Sequence, residues 1–530
     1  MIKYTPSNQL TLNGFSTPFE NELSPDNRWV KLAALVPWDE LAAVYCEKLS
    51  GTSGRMGIDA RMVIGAIIVK HRLGLDDRGT VAMIAENVYL QYFCGLKAFR
   101  TGEPFHPTVF VDIRKRMGAD SFDRWNEKII ERADGIRPKK KRNIDRDGRG
   151  NAPDGELPDN KGTLKIDATV ADQKIAYPTD VGLLNAARKE AERMIDLLYG
   201  QAGPCKKPRD YRRIARKEYL AFSKKRRRTK KEIRKTVRKQ LGYLKRDLGH
   251  IERLLDTIEA RRRTGTAAGM FPDMPDPYPS RFPLPRRDQR IYWVLQLLYG
   301  QQKHMYDEKV HSVADRIVNI HQPYVRPIPR GKDRASTEFG AKISSSETDG
   351  MARTEHISWD NFNESKDLEL QVEAYRKTHG RWPELLLADR IYLNRENRKR
   401  LKEKGIRIVG VPLGRPPKEE LTAHQKRKRK KERNQRNHIE GKFGQGKNAY
   451  GLGDIRAKRR DTSESWIGAV FFVMNLVSLV KIADLHAIFH VLFKKVFRYG
   501  TYPGVMKGLL SEVFAPIGNR CRNASRIAAA

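Results

Sequence analysis

Seven apolar residues, Val237, Leu241, Leu244, Leu248, Ile251, Leu255 and Ile258, follow one another at alternating steps of four and three. That spacing is the a/d seam of a long helix over about three heptads, and such a seam must be covered by another helix. Two partners satisfy it: the preceding basic helix folded back as a hairpin, or the same helix of a second subunit. The seam lies in the most basic part of the chain, residues 206–263, where Lys224–Lys231 reads KKRRRTKK. Charges of one sign at this density repel one another, and phosphate is the counter-charge that suits them.

The imbalance extends over the whole molecule. The 530 residues hold 103 Lys and Arg against 64 Asp and Glu, a formal charge of +39, arranged in separate blocks. A polyanionic partner follows, and separate blocks without a basic amphipathic anchor fit nucleic acid better than a membrane surface. A hydrophobic fraction of 39%, with 7 Trp, 19 Tyr and 19 Phe, excludes a wholly disordered basic tail. Cys46, Cys94, Cys205 and Cys521 have neither disulfide-framework nor zinc-clip spacing, so a reducing compartment is expected. The opening residues show no secretory signal. The longest apolar run, Trp466 to Val480, is interrupted by Asn475 and Ser478 and falls short of the roughly 18–20 residues that span a bilayer. It is read as a buried helix, with no membrane association and a cytoplasmic location.

Along the chain, residues 1–136 read as an N-terminal all-α domain. Met62, Val63, Ala66, Ile67 and Lys70 recur at helical steps before a break at LGLDD and a second helix with Val81, Ile84 and Ala85. This is a helix-turn-helix or an ordinary small helical bundle. Residues 137–162, rich in Pro, Gly and charge, form a linker. The core begins over 163–200 with the strand LKIDATVAD, in which Leu164 and Ile166 point one way and Lys165 and Asp167 the other, and a helix from Leu183 to Tyr199. A helical, coiled-coil-like basic insertion with the Pro-rich block Phe271–Pro285 fills 201–290. The remainder of the core, 291–485, carries strand-like DRIVNIHQP, EFGAKISSS and TEHISWD, a helix over Lys366–Lys377, the apolar run ELLLADRIY, a helix near Asn394–Lys404 and the strand IRIVGVP. Residues 486–530 are a C-terminal tail.

Two of these strands carry an acid, Asp167 and Asp389, and ligand sites in α/β sheets gather at the carboxyl ends of strands. A third carboxylate, Glu440, stands among cations in KRKRKKERNQRNHIEGKFGQGK. Turn or cap duty for the aspartates, and an ion pair with Arg436 one turn away for Glu440, are the plain alternatives. In the functional reading the three acids offer hard oxygen ligands to Mg²⁺ while Lys and Arg hold DNA phosphates. Gly441, Gly446 and Lys447 also stand in a G-x-x-x-x-G-K frame, but Asn448 replaces the hydroxyl residue and no strand precedes it, which excludes a nucleotide-binding loop. His304, His311 and His321 are too loosely spaced for a metal site, and Asp167 is favoured over Asp172 and Asp180 because it lies within the strand.

KIDATVADQKIAYPTDVGLLNAAR, LLLADRIYLNRENRKRLKEKGIRIVG and NHIEGKFGQGKNAYGLGDIRAK resemble the three acid segments of DDE-type transposases of bacterial insertion sequences. DDRGTVAMIAENVYLQYFCGLKAF, followed by PFHPTVFVDIRKRMG, is similar to their helical N-terminal domain, and the resemblance runs in order from about Trp29 to Val480. It implies an α/β fold with a ribonuclease-H-like mixed sheet flanked by helices, and Asp167, Asp389 and Glu440 as catalytic and metal-holding residues. Two Mg²⁺ ions are implied, with Mn²⁺ able to substitute. Arg436, Glu440 and Lys447 fit the R-x3-E-x6-K signature of the class, while Arg433 stands where its tyrosine is expected. Arg436, Lys447, Arg390 and Lys442 are expected at DNA phosphates. The glycines after Glu440 suggest close approach of backbone to DNA rather than a stable helix.

The implied activity is cleavage and strand transfer at terminal repeats by a nucleoid-associated homodimer acting on double-stranded DNA. A non-catalytic or inactivated DNA-binding regulator, or a nuclease of the same fold that never joins, would share most of these features.

Overall fold

The computed structural model describes residue 4 and residues 22–49, 57–137, 160–203, 206–265, 282–332, 335–409 and 422–499. Most of the expected linker, most of the proline-dense block, Cys205, Cys521 and the tail beyond residue 499 lie outside the described residues.

Six helices come first: α1 (Arg28–Leu35), α2 (Trp38–Cys46), α3 (Ala60–Leu73), α4 (Asp77–Glu86), α5 (Val88–Phe93) and α6 (Val109–Ile136), the last kinked at Gly118. Asn27, Asp59, Asp76 and Asn87 each turn a side-chain oxygen onto the first free backbone N–H groups of the helix they precede. Helix α3 is buried along most of its length, as in a small bundle. Its Lys70 ends in a closed setting, with Nζ 2.7 Å from Asp77 Oδ1 and over the Trp466 ring, while Arg114 of α6 grips Asp77 with both terminal nitrogens.

The sheet is built from β1 (Thr163–Asp172), β2 (Arg326–Lys332), β3 (Ala335–Thr348), β4 (Met351–Ser358), β5 (Leu385–Leu387) and β6 (Arg407–Ile408). Its order is β2-β3-β1-β5-β6, with β4 beside β3. Strand β3 is antiparallel to β1, β2 and β4, whereas β1, β5 and β6 are mutually parallel along the sheet. The expected strand over 315–323 is instead an irregular connection, and β2 begins at Arg326. Asn319 explains this locally: its Oδ1 accepts from the backbone of His321 and Gln322, which takes those N–H groups away from a ladder.

Both faces of the sheet are covered. Leu164, Ile166, Leu386 and Ala388 pack with α11 (Leu368–His379) and α12 (Arg395–Glu403). The other face meets α13 (Ala423–Ala449), α14 (Arg460–Tyr499) and the N-terminal helices in one continuous core. The first 25 residues of α14, Arg460–Asp484, contain an 18-residue stretch apolar enough to cross a membrane, with a mean hydropathy of 1.9, but 67% of that stretch is buried inside the protein. Asn475, the break in the apolar run, accepts from Ala352 N at 2.9 Å, donates to Ala352 O at 2.6 Å and also reaches Asn126 of α6. The polar residue therefore joins α14 to both β4 and α6.

A second core is formed by α7 (Asp180–Tyr199), α8 (Arg212–Ser223), α9 (Lys230–Gly265) and α10 (Arg286–Asp307). The heptad seam on α9 is covered within the same chain, chiefly by Leu184, Ala187, Ala191, Ile195 and Leu198 of α7 and by Ile291, Leu295 and Leu298 of α10. Near its end the buried position moves from Leu255 to Leu254. Asp247 of α9 is only 3% exposed, and its carboxyl is pushed up to about 7 by burial and then by the charges of Glu192 and Asp210, against Arg188 and Arg246. In an unfolded chain an aspartate titrates near 3.9, so from about pH 4 to 7 unfolding releases a proton and stability falls as pH rises. Asp247→Asn is therefore expected to unfold at a higher temperature than wild type at pH 8 and at the same temperature at pH 4; thermal unfolding at both pH values checks this.

Candidate active site

Register brings the two aspartates together. Strand β5 pairs with β1 in parallel as Thr163↔Leu385, Leu164↔Leu386 and Lys165↔Leu387. Asp389 follows two residues after the last of these pairs, as Asp167 does on β1. Both line one cleft of about 790 Å³, together with Lys342 of β3 and the loop Asn361–Ser365. Asp389 is exposed and caps the short 3₁₀ turn Arg390–Tyr392, its Oδ1 accepting from Arg390 N at 2.7 Å. Asp167 is half-buried, and Oδ1 accepts from Ala168 N at 2.8 Å. Burial pushes its carboxyl up to about 6, and the negative charges of Glu364 and Glu440 add to the rise against the Ala168 hydrogen bond and the Arg436 guanidinium.

The third acid arrives on α13, an unbroken helix opened by a capping box between Thr422 and Gln425. Glu432, Ile439, Phe443 and Gly446 form its buried stripe, and Glu432 receives a 2.8 Å hydrogen bond from Arg407 of β6. The expectation that the glycines after Glu440 break the helix is corrected here. Gly441 and Gly444 face open space, while a Cβ on Gly446 would press on Leu452 and Met474 at 3.1 and 3.2 Å. At Gly446 the missing side chain lets α13 lie close to its neighbours; at the other two it costs only helix propensity.

On α13, Arg436 sits between acids: it is hydrogen-bonded to Glu440, and its Nη1 lies 3.5 Å from Asp167 Oδ2. Glu440 is exposed. Lys447, seven residues on and so on nearly the same helix face, reaches Asp172 at 3.1 Å and Glu338 at 3.3 Å. Lys442 lies two residues past Glu440, about 200° around the helix. It turns inward, donating to Ser478 at 2.6 Å, with its ammonium lowered to about 8 by burial. This differs from the expected phosphate contact. Among the described residues no three acids or other ligating side chains are already gathered closely enough to hold a metal.

On the far side of Asp389 opens a second groove of about 630 Å³ whose wall includes Arg390, Arg398, Lys426, Arg429, Arg433 and Arg436. Asp389 thus stands on the border between a cleft that contains carboxylates and a groove lined by cations. The sequence reading missed Glu364, which lies in the first cleft with its carboxylate 2.9 Å from Lys342 Nζ. Its only sequence signal is an acid just ahead of the helix at Lys366–Lys377.

Residues 386–477 match the family described as transposase DDE domain, and residues 17–116 match the transposase domain family DUF772. The chain is 26% identical over 161 residues to the uncharacterized protein ORF8 in the nfe locus of Rhizobium meliloti, a segment covering 30% of this chain and 68% of the relative. No solved structure gives a significant match.

Proposed function

Because these two matched segments mark the chain as a DDE-type insertion-sequence transposase, we propose that it cuts DNA at terminal repeats and joins the freed 3′ ends to a target, with Asp167, Asp389 and Glu440 as its catalytic acids. The observation that carries this reading is that Asp167 and Asp389, 222 residues apart in sequence, line one cleft beside the paired strands β1 and β5. The β4-β3-β1-β5-β6 order, antiparallel on one side of β1 and parallel on the other, supports a ribonuclease-H-like core.

The donor set suits Mg²⁺ or Mn²⁺. The acids offer only hard carboxylate oxygens, and two of them already contact a positive group, the Arg436 guanidinium. When bound, two such ions would activate a water or 3′ hydroxyl and stabilise the leaving oxygen of an in-line displacement. Asp167 and Asp389 would hold them from the sheet and Glu440 from the helix. Arg390 and Arg436, at the cationic groove, would grip phosphates next to Asp389. Lys447 would fix α13 against β1 and β3 through Asp172 and Glu338. The exposed cations of Lys224–Lys231 extend the duplex contact, and a homodimer acting in the cytoplasm on paired ends completes the reading.

The test is incubation of labelled DNA carrying the flanking terminal repeats with the full chain and Mg²⁺. Cleaved and joined products are expected; binding without cutting would make the protein a regulator, and cutting without joining a nuclease.

A further inference from the structure

Resting on the assignment of Asp167 and Glu440 as metal-holding acids, we propose that Arg436 is a latch that keeps them occupied until DNA enters, so that cation loading and DNA binding are coupled. The guanidinium is shared between two duties. It touches Glu440 and Asp167 from one helical position, and it also forms part of the wall of the groove that borders Asp389. Its side chain is 24% exposed, so solvent screens the contact only in part.

An arginine fork can satisfy these two carboxylates or a phosphate, since carboxylates and phosphates both present anionic oxygens within bidentate reach of its N–H groups. It cannot stay between the carboxylates while a divalent cation binds there, because two positive groups would share one small space. A phosphate in the groove, whose lining includes Arg436 but not Asp167, offers the guanidinium a competing partner. Withdrawal toward that phosphate uncovers both carboxylates together. Arg433, one turn earlier on α13, also lines the groove, while the ion pairs to Asp167 and Glu440 are made by Arg436. Linkage requires the converse as well, that bound cation raises DNA affinity by the same factor.

The test measures Mn²⁺ binding to the full chain by the electron paramagnetic resonance signal of free Mn²⁺, without and with a short DNA duplex. In the absence of DNA, Arg436→Gln is expected to tighten Mn²⁺ binding about tenfold. Arg433→Gln, which removes the same charge from the groove wall, should leave it within about twofold of wild type. Adding duplex should tighten binding to wild type and leave the Arg436→Gln protein nearly unchanged. Equal DNA-free affinities for wild type and Arg436→Gln, or equal tightening by Arg433→Gln, overturn the latch. Asp167→Asn separates this failure from that of the parent reading. If it abolishes Mn²⁺ binding while Arg436→Gln has no effect, the acids stand and the latch falls; if it leaves Mn²⁺ binding intact, the acid assignment itself falls and the latch with it.

Discussion

Asp389→Asn and Asp167→Asn are each expected to slow strand cleavage about 10³-fold or more, the loss of several kcal/mol of transition-state stabilisation, while DNA binding persists. Both changes are nearly isosteric, and the structure shows why the protein should survive them. The 3₁₀ cap at residue 389 uses one carboxylate oxygen on Arg390 N, and an asparagine oxygen can accept the same bond. At residue 167 the bond from Ala168 N is likewise kept, and the burial that pushes the Asp167 carboxyl up to about 6 no longer works against a charge. Cleavage rates on labelled terminal-repeat DNA, set against DNA binding by fluorescence anisotropy and thermal unfolding, check the expectation. A variant that folds, binds and still cuts at the wild-type rate would remove that residue from the site.

The largest effect on stability is expected at Gly340. It pairs with Asp172 of β1 on one side and Arg326 of β2 on the other. A Cβ there would stand 1.8 Å from Ala171 O and 2.8 Å from its carbonyl carbon. Both obstacles are backbone of a central strand, so no side-chain rotation relieves the clash. Gly340→Val should cost about 3 kcal/mol or more and yield little soluble protein, and Gly340→Ala should show a clearly lowered unfolding temperature. Because β1 also carries Asp167, and Asp172 is the partner of Lys447, the surviving fraction should also cut poorly. An alanine variant with the wild-type unfolding temperature would show that the strands can part at little cost.

The aspartate positions were readable because strand periodicity is local: Lys165 and Asp167 do share a face, and Lys165 meets Glu347 directly across the ladder at 2.6 Å. The heptad seam announced a long helix for the same reason. Its partner could not be read, since neither a folded-back basic helix nor a second subunit but α7 and α10 supply most of the cover, brought there by tertiary contacts that no local pattern encodes. Glycine composition misled at α13, where capping at Thr422 and burial of Ile439 and Phe443 outweigh propensity. Lys442 was misread as a phosphate contact, although its offset of about 200° from Glu440 on one helix points it inward; the fourth acid, Glu364, had no such local signal, because its place in the cleft depends on how β3 and α11 pack.

Asn475 links α14 to α6 across 349 residues of chain, and Phe122 and Trp125 of α6 stack beside Phe472 of α14. The N-terminal helices therefore depend on a helix made 349 residues later in the chain. At about 5–20 residues per second the ribosome needs roughly 17–70 s to travel from one asparagine to the other. Throughout that interval α6 would lack the α14 side of its cover, although Trp125 already donates to Leu41 O of α2. The nascent chain has a window of vulnerability to proteases and chaperones, and a product truncated before α14 would never leave it.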